Sequence, residues 1–284
     1  MAPNMGRAIS FPLTPAPARS TFSKSSRHVR SVSLPGTTSS HPLVANLHAH
    51  IAALRAWIQH TAAAASSLPA GLANIHALHA ALADLLHLPA SGAALRCTTS
   101  NAGNHLLDAF LLLADAHQGF QECLLELRHA AAESRAALRR GDTGRLASAS
   151  RSQRRAEKDL VRLAASVSAV STKCSRLNLV AGAEEAEMAG ALVEAAAVTA
   201  AASAAVFSAA SSMSSPASTC KKIAMFIPAF ATKKAAVPET AEAAVERLHA
   251  LERCFDECDS ACDMVFRSVV QTRVALLNIM TPTI

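Results

Sequence analysis

From residue 44 onward, apolar side chains return every three or four positions, and this period most limits the folds open to the chain. Val44, Leu47, Ile51, Leu54 and Ile58 form a first series, and Leu72, Ile75, Leu78, Leu82 and Leu85 a second. A third runs without a break through Leu106, Phe110, Leu113, His117, Phe120, Leu124, Leu127, Ala131, Ser134 and Leu138. Ala156, Leu160, Leu163, Val167, Val170, Cys174 and Leu177 form a fourth. The last comprises Leu248, Leu251, Phe255, Cys258, Cys262, Val265, Val269, Thr272, Leu276 and Ile279. Spacing of this kind places one apolar stripe along a helix, whereas a strand face repeats every second residue. The Ala- and Leu-rich sequence favours helix, and the β-branched and aromatic runs that mark strands are missing.

The breaks between stripes divide the chain. Ser40-His41-Pro42 supplies a cap and an early proline, a helix start signal. Ser66 to Gly71 separates the first two helices, and Pro89 stops the second. Gly141-Asp142-Thr143-Gly144 is a tight turn, so the third and fourth stripes pack as an antiparallel hairpin. No charged residue occurs from Ala195 to Cys220, which raises a transmembrane question. Its Ala and Ser content, with Glu194 before it and Pro216 within it, predicts a buried bundle helix instead. The expected architecture is all-α: an elongated antiparallel bundle of about six helices with coiled-coil-like seams, over residues 40–284. Those helices are placed at about 42–65, 72–88, 104–140, 145–178, 184–213 and 239–280, with a loop over 214–238. Residues 1–39 carry Pro, Ser, Thr and Arg without periodicity and read as a disordered arm.

Charge follows the same division. The arm holds Arg7, Arg19, Lys24, Arg27 and Arg30 and no acid, while the rest of the chain is close to neutral. The high isoelectric point therefore reports the arm and does not mark the bundle as a nucleic-acid binder. An acid-free, Ser- and Arg-bearing start also fits an organelle transit peptide. No secretory signal is expected, because prolines 12, 15 and 17 interrupt the first apolar stretch. With seven cysteines, an odd number, the expectation is a reducing compartment, cytoplasmic, with membrane association or a plastid as alternatives.

Cys254, Cys258 and Cys262 lie four residues apart among acids. A closed zinc site needs four ligands and a redox pair usually has a CxxC spacing, whereas Cys258 and Cys262 fall on the helix stripe. They are read as small buried hydrophobes. His76 and His79 share a helix face without a third ligand and are read as solvated, while His117 falls on a core stripe. No Walker motif, GxSxG elbow or HExxH motif occurs, so no catalytic, cofactor-binding or metal-ligating residues are assigned.

Several stretches resemble a known family. His28 to Pro35 with Ser40 to Leu43, Leu85-Leu86-His87-Leu88-Pro89, Leu106-Leu107-Asp108, Ala137 to Asp142 and Val269 to Ile279 look like its conserved segments. It is a plant-specific family of uncharacterised helical proteins grouped with the BYPASS-type proteins, and the resemblance spans roughly residues 28–281. It implies a non-enzymatic regulatory or scaffolding role in root and shoot development, and it brings no catalytic residues.

Three surface signals remain. Arg30, Ser31, Ser33 and Pro35 fit the R-S-x-S-x-P pattern that 14-3-3 proteins bind when the second serine is phosphorylated. Residues 128–162 hold ten Arg or Lys and four acids, densest at Arg139, Arg140, Arg145, Arg151, Arg154 and Arg155. That patch suits anionic lipid or an acidic partner. No aromatic lies between Phe120 and Phe207 to stack a base, so nucleic acid is not expected. Finally, Lys221 and Lys222 with Lys233 and Lys234 flank Phe226, Ile227 and Phe230, a stretch too short to span a bilayer. It suits contact with a membrane interface, or a loop capping the bundle. The expected partners are proteins, with an anionic membrane surface as the alternative.

Overall fold

The computed structural model describes residues 41–61, 68–97, 102–176, 183–215 and 241–281. Seven α-helices occur there and no strand: α1 (Pro42–Thr61), α2 (Leu68–Leu86), α3 (Pro89–Cys97), α4 (Ala102–Arg140), α5 (Thr143–Cys174), α6 (Ala183–Ser214) and α7 (Ala241–Met280). They belong to one compact unit spanning Ser40–Ile284. The remaining unit, Met1–Ser39, lies outside the described residues.

The apolar stripes become the seams. In α4, every stripe residue from Leu106 to Ser134 is buried, and in α7 every one from Leu248 to Leu276. α4 packs against α5 on one side and α7 on the other. α6 closes the arrangement, touching α5 along its length and also α1, α2, α3 and α4. This explains its composition. Ala189, Ala195, Ala196, Ala200, Ala202 and Ala210 are wholly buried, and small side chains let five neighbours approach one rod. By length and hydropathy α6 could cross a membrane, yet 72% of its most apolar window is covered by the bundle.

Two details depart from the expectation. The second helix begins at Leu68, so Pro69 lies inside its first turn, where the missing N–H costs nothing. Beside it α1 and α2 approach closely: the Trp57 ring occupies the space a side chain at Gly71 would need. The other departure is α3, a helix absent from the sequence reading. Pro89 does stop α2, but it also starts α3. Nine residues are too few for a periodic signal, and α3 is held by the burial of Ala94 and Leu95, by packing on α6, and by Arg96. The Arg96 guanidinium donates to the Ile279 carbonyl at 3.0 Å, satisfying one of the last carbonyls of α7.

The turn between α4 and α5 uses two residues. Gly141 has φ +68°, a left-handed conformation that ends α4. Its N–H donates to Leu138 O at 3.3 Å, and the Asp142 N–H donates to Ala137 O at 3.0 Å. Asp142 then caps α5, its carboxylate accepting from the Arg145 N–H at 2.9 Å. Gly141→Ala is expected to cost about 1–2 kcal/mol, because the left-handed region penalises a Cβ. Chemical denaturation measures it, and an unchanged midpoint would contradict this turn geometry.

Candidate functional site

The α4–α5 turn presents cations because both helix ends are arginine-rich and the stripes keep those arginines outside. Arg139, Arg140, Arg145, Arg151 and Arg155 are exposed and Arg154 is half-exposed. From Thr143 to Arg155, α5 rises about 18 Å, so the patch covers one end of the hairpin.

Which cations are available is decided by their neighbours. Arg128 pairs with Asp256 of α7 at 2.9 Å, and Arg135 with Glu252 at 3.0 Å, so both serve the α4–α7 seam. Arg145 lies 3.6 Å from Asp142, and Arg162 is bound to Asp159. Arg154 is close enough to Glu157 to favour its charged form, although burial outweighs this and raises the Glu157 pKa. Arg139, Arg140, Arg151 and Arg155 form no ion pair among the described residues.

The fold adds something the sequence did not show. Gln153 of α5 donates to the Ser214 carbonyl at 2.5 Å, fixing the end of α6 beside the basic end of α5. Ala244, in the first turn of α7, packs with Ala137 and Leu146 on either side of the α4–α5 turn. The chain therefore leaves α6 and enters α7 at the arginine-rich end. The residues between, among them Lys221, Lys222, Phe226, Ile227, Phe230, Lys233 and Lys234, lie outside the described residues. So do Arg30, Ser31, Ser33 and Pro35 of the phosphorylation motif.

A second polar arrangement lies inside the bundle. His79, read from sequence as solvated, is 1% exposed, because α7 covers its face of α2. Its Nδ1 is 2.9 Å from the Thr272 hydroxyl, which itself donates to Ser268 O. Thr272 has one proton and has spent it, so the His79 Nδ1–H must be the donor. The Nε2 atom then accepts from Thr199 of α6, at 3.5 Å. On α4, His117 is equally buried, and its Nε2 is 2.9 Å from Ser203. Phe110 meets the His79 ring edge-on, and Phe207 the His117 ring. Burial pushes the pKa of His79 down to about 3, helped by His117 and His76, and burial alone takes His117 to about 4. Both rings are neutral at ordinary pH. Among the described residues no carboxylate bonds to them, which makes them poor general bases, and their hydrogen bonds tie α2 to α7 and α6, and α4 to α6.

The cysteines on α7 follow the same logic. Cys258 and Cys262 are buried and free. A hydrogen bond with Cys254, then burial, pushes the Cys258 thiol up, and burial takes Cys262 to about 12. Thiols held protonated are weak nucleophiles and weak ligands. Among the described residues no group of three His, Cys, Asp or Glu side chains is placed to hold a metal ion.

Neither the curated proteins nor the solved structures contain a match to this chain. A family model described as Protein BPS1 matches residues 71–279, from the first turns of α2 to the end of α7. That span takes in the histidine layers, the basic turn and the C-terminal thiols, so the chain belongs to the BPS1 family, the BYPASS-type group its motifs resemble.

Proposed function

We propose that this chain is a non-enzymatic interaction protein whose working surface is the arginine-rich end of the α4–α5 hairpin, and that this surface adsorbs to anionic membrane. Membership of the BPS1 family implies a regulatory protein of plant development. The finer reading of a role in root and shoot growth rests on the resemblance to the BYPASS-type proteins, and that of binding to an anionic surface on one observation. Four arginines at one end of the bundle, Arg139, Arg140, Arg151 and Arg155, are left without acidic partners among the described residues. Between residues 135 and 158 stand eight basic and two acidic residues, and adding Glu242 and Glu246 of α7 still leaves this end cationic. Each basic group near an anionic bilayer contributes about 1 kcal/mol. A Lys-bearing segment whose two attachment points sit at that end favours a membrane over a small acidic protein. The compartment in this reading is the cytoplasm, at a membrane face.

Flotation of the full chain with phosphatidylserine-containing liposomes tests it. Arg139→Ala with Arg140→Ala is expected to weaken partitioning about 30-fold, the equivalent of about 2 kcal/mol. Binding should fall steeply with salt, since exposed charges are screened within about 8 Å at physiological ionic strength. Partitioning that ignores both salt and the arginines would overturn the reading. The arm supplies a second arm of the experiment. Phosphorylated Ser33 between Arg30 and Pro35 is the proposed 14-3-3 tether, and Ser33→Ala should abolish pull-down of a 14-3-3 protein without altering flotation. An unchanged pull-down would remove that part alone.

A further inference from the structure

α5 stops at Cys174 while α4 continues back to Ala102, and the notch left between them holds a cavity of about 510 Å³. Its wall is apolar where the helices meet. Ala109 and Val170 are buried there and Leu112 half-buried, with the Cys174 thiol beside them. Lys173 and Arg176 stand on the α5 side of the opening, and His105 and Asp108 on the α4 side. Neither Lys173 nor Arg176 forms an ion pair among the described residues, and neither does Asp108. Small-molecule sites have this construction: a few hundred cubic ångströms, mostly apolar, with a small number of polar groups converging on the opening.

The charges choose the ligand class. Two full positive charges face one carboxylate. The partial negative charge at the C-terminus of α5 offsets part of the excess, and the partial positive charge at the N-terminus of α4 restores it. An uncharged hydrophobe would leave Lys173 and Arg176 without a partner, and a simple inorganic anion would leave the apolar wall uncovered.

We infer that the notch between the start of α4 and the end of α5 binds a small amphipathic anion. Its apolar body lies on Ala109, Leu112 and Val170, and its acidic head meets Lys173 and Arg176. Asp108 and His105 on the opposite wall set a limit on head-group charge, so a monoanionic carboxylate fits better than a polyphosphate. The site is distinct from the basic turn. Asp108 and Arg140 are separated along α4 by about 48 Å, so either surface can be tested without the other.

Decanoate is a suitable probe for the full chain, followed by the methyl NMR signals of Leu112 and Val170. Saturable shifts of both are expected, with about tenfold weaker binding for decanol, which has the same chain and no charge. Lys173→Glu with Arg176→Glu should weaken decanoate binding by at least about tenfold and leave decanol unaffected. Leu112→Trp, which fills the notch from a half-buried position, should abolish the response at Val170. The inference is overturned if decanoate and decanol bind alike. It is equally overturned if the exposed Leu125 and Val161 methyls respond at the same concentration, which would mean surfactant adsorption, or if no saturation occurs. The comparison of the two ligands uses the unaltered chain, so it stands even if a variant fails to fold.

Discussion

Acidification from about pH 7 to about pH 5 is expected to remove about 4 kcal/mol of folding stability, about 2 from each of His79 and His117. The unfolded rings titrate at 6.5, the ordinary histidine value, and the folded ones at about 3 and about 4. Below the unfolded value the unfolded chain takes up protons that the folded chain refuses. The stabilising contribution is therefore complete above that value and is lost as the pH falls toward the folded values. The groups facing His79 are Thr272 of α7, Thr199 of α6 and Phe110 of α4, with His76 and His117 near enough to oppose its protonation, and those facing His117 are Ser203 and Phe207 of α6. None of them can neutralise an imidazolium. Urea denaturation at a series of pH values measures the slope. His79→Gln with His117→Gln should flatten it, since neither replacement titrates. A double variant with the slope of the original chain would show that the rings are not buried as described.

Phe207→Ala is expected to cost about 3–5 kcal/mol, the usual penalty for removing a large buried aromatic ring. Phe207 is wholly buried, stacks on Phe120 with centroids 4.5 Å apart, and makes a T-shaped contact with the His117 ring at 5.3 Å. Its loss opens a cavity at the α4–α6 contact, where the surrounding alanines have no flexible atoms with which to fill it. Leu125→Ala is the control: Leu125 is 58% exposed, and its truncation should stay within about 0.5 kcal/mol. The pair also tests the placement of α6. If α6 lay in a bilayer instead of the bundle, Phe207→Ala in aqueous solution would cost no more than Leu125→Ala.

The all-α architecture was readable because each stripe is a local property. Nine consecutive three- and four-residue steps in α4 need no neighbour to be recognised, and the same holds for α7. What failed to show was whatever is short or whatever is set across the bundle. α3 is nine residues long, below the length at which a period can be counted. His79 sits beside a polar-looking His76 on α2, and only the arrival of α7 turns it from a surface residue into a core one. The notch at the end of α5 had no sequence signal, since it depends on where the end of α5 comes to lie against the start of α4.

The basic stretch shows both sides of this. Ten cations over residues 128–162 are visible in the sequence, but not which of them are engaged. Arg128 and Arg135 are held by acids more than a hundred residues away on α7, while Arg139 and Arg140, one turn further on, are not. Thiols gave a simpler case: Cys258 and Cys262 keep the stripe's period, and both are buried.

By itself, then, the amino-acid order determined the rods, their apolar faces and the position of the sharp turn at Gly141, because helix period, capping and left-handed glycine conformation act over four or five neighbouring residues. Only the tertiary structure decided that His79 bonds to Thr272 and Thr199, that four arginines keep their charge uncompensated among the described residues, and that a notch opens beside Cys174. Those outcomes depend on the register and length of one helix against another, and contacts between residues so far apart leave no trace in the local period of either.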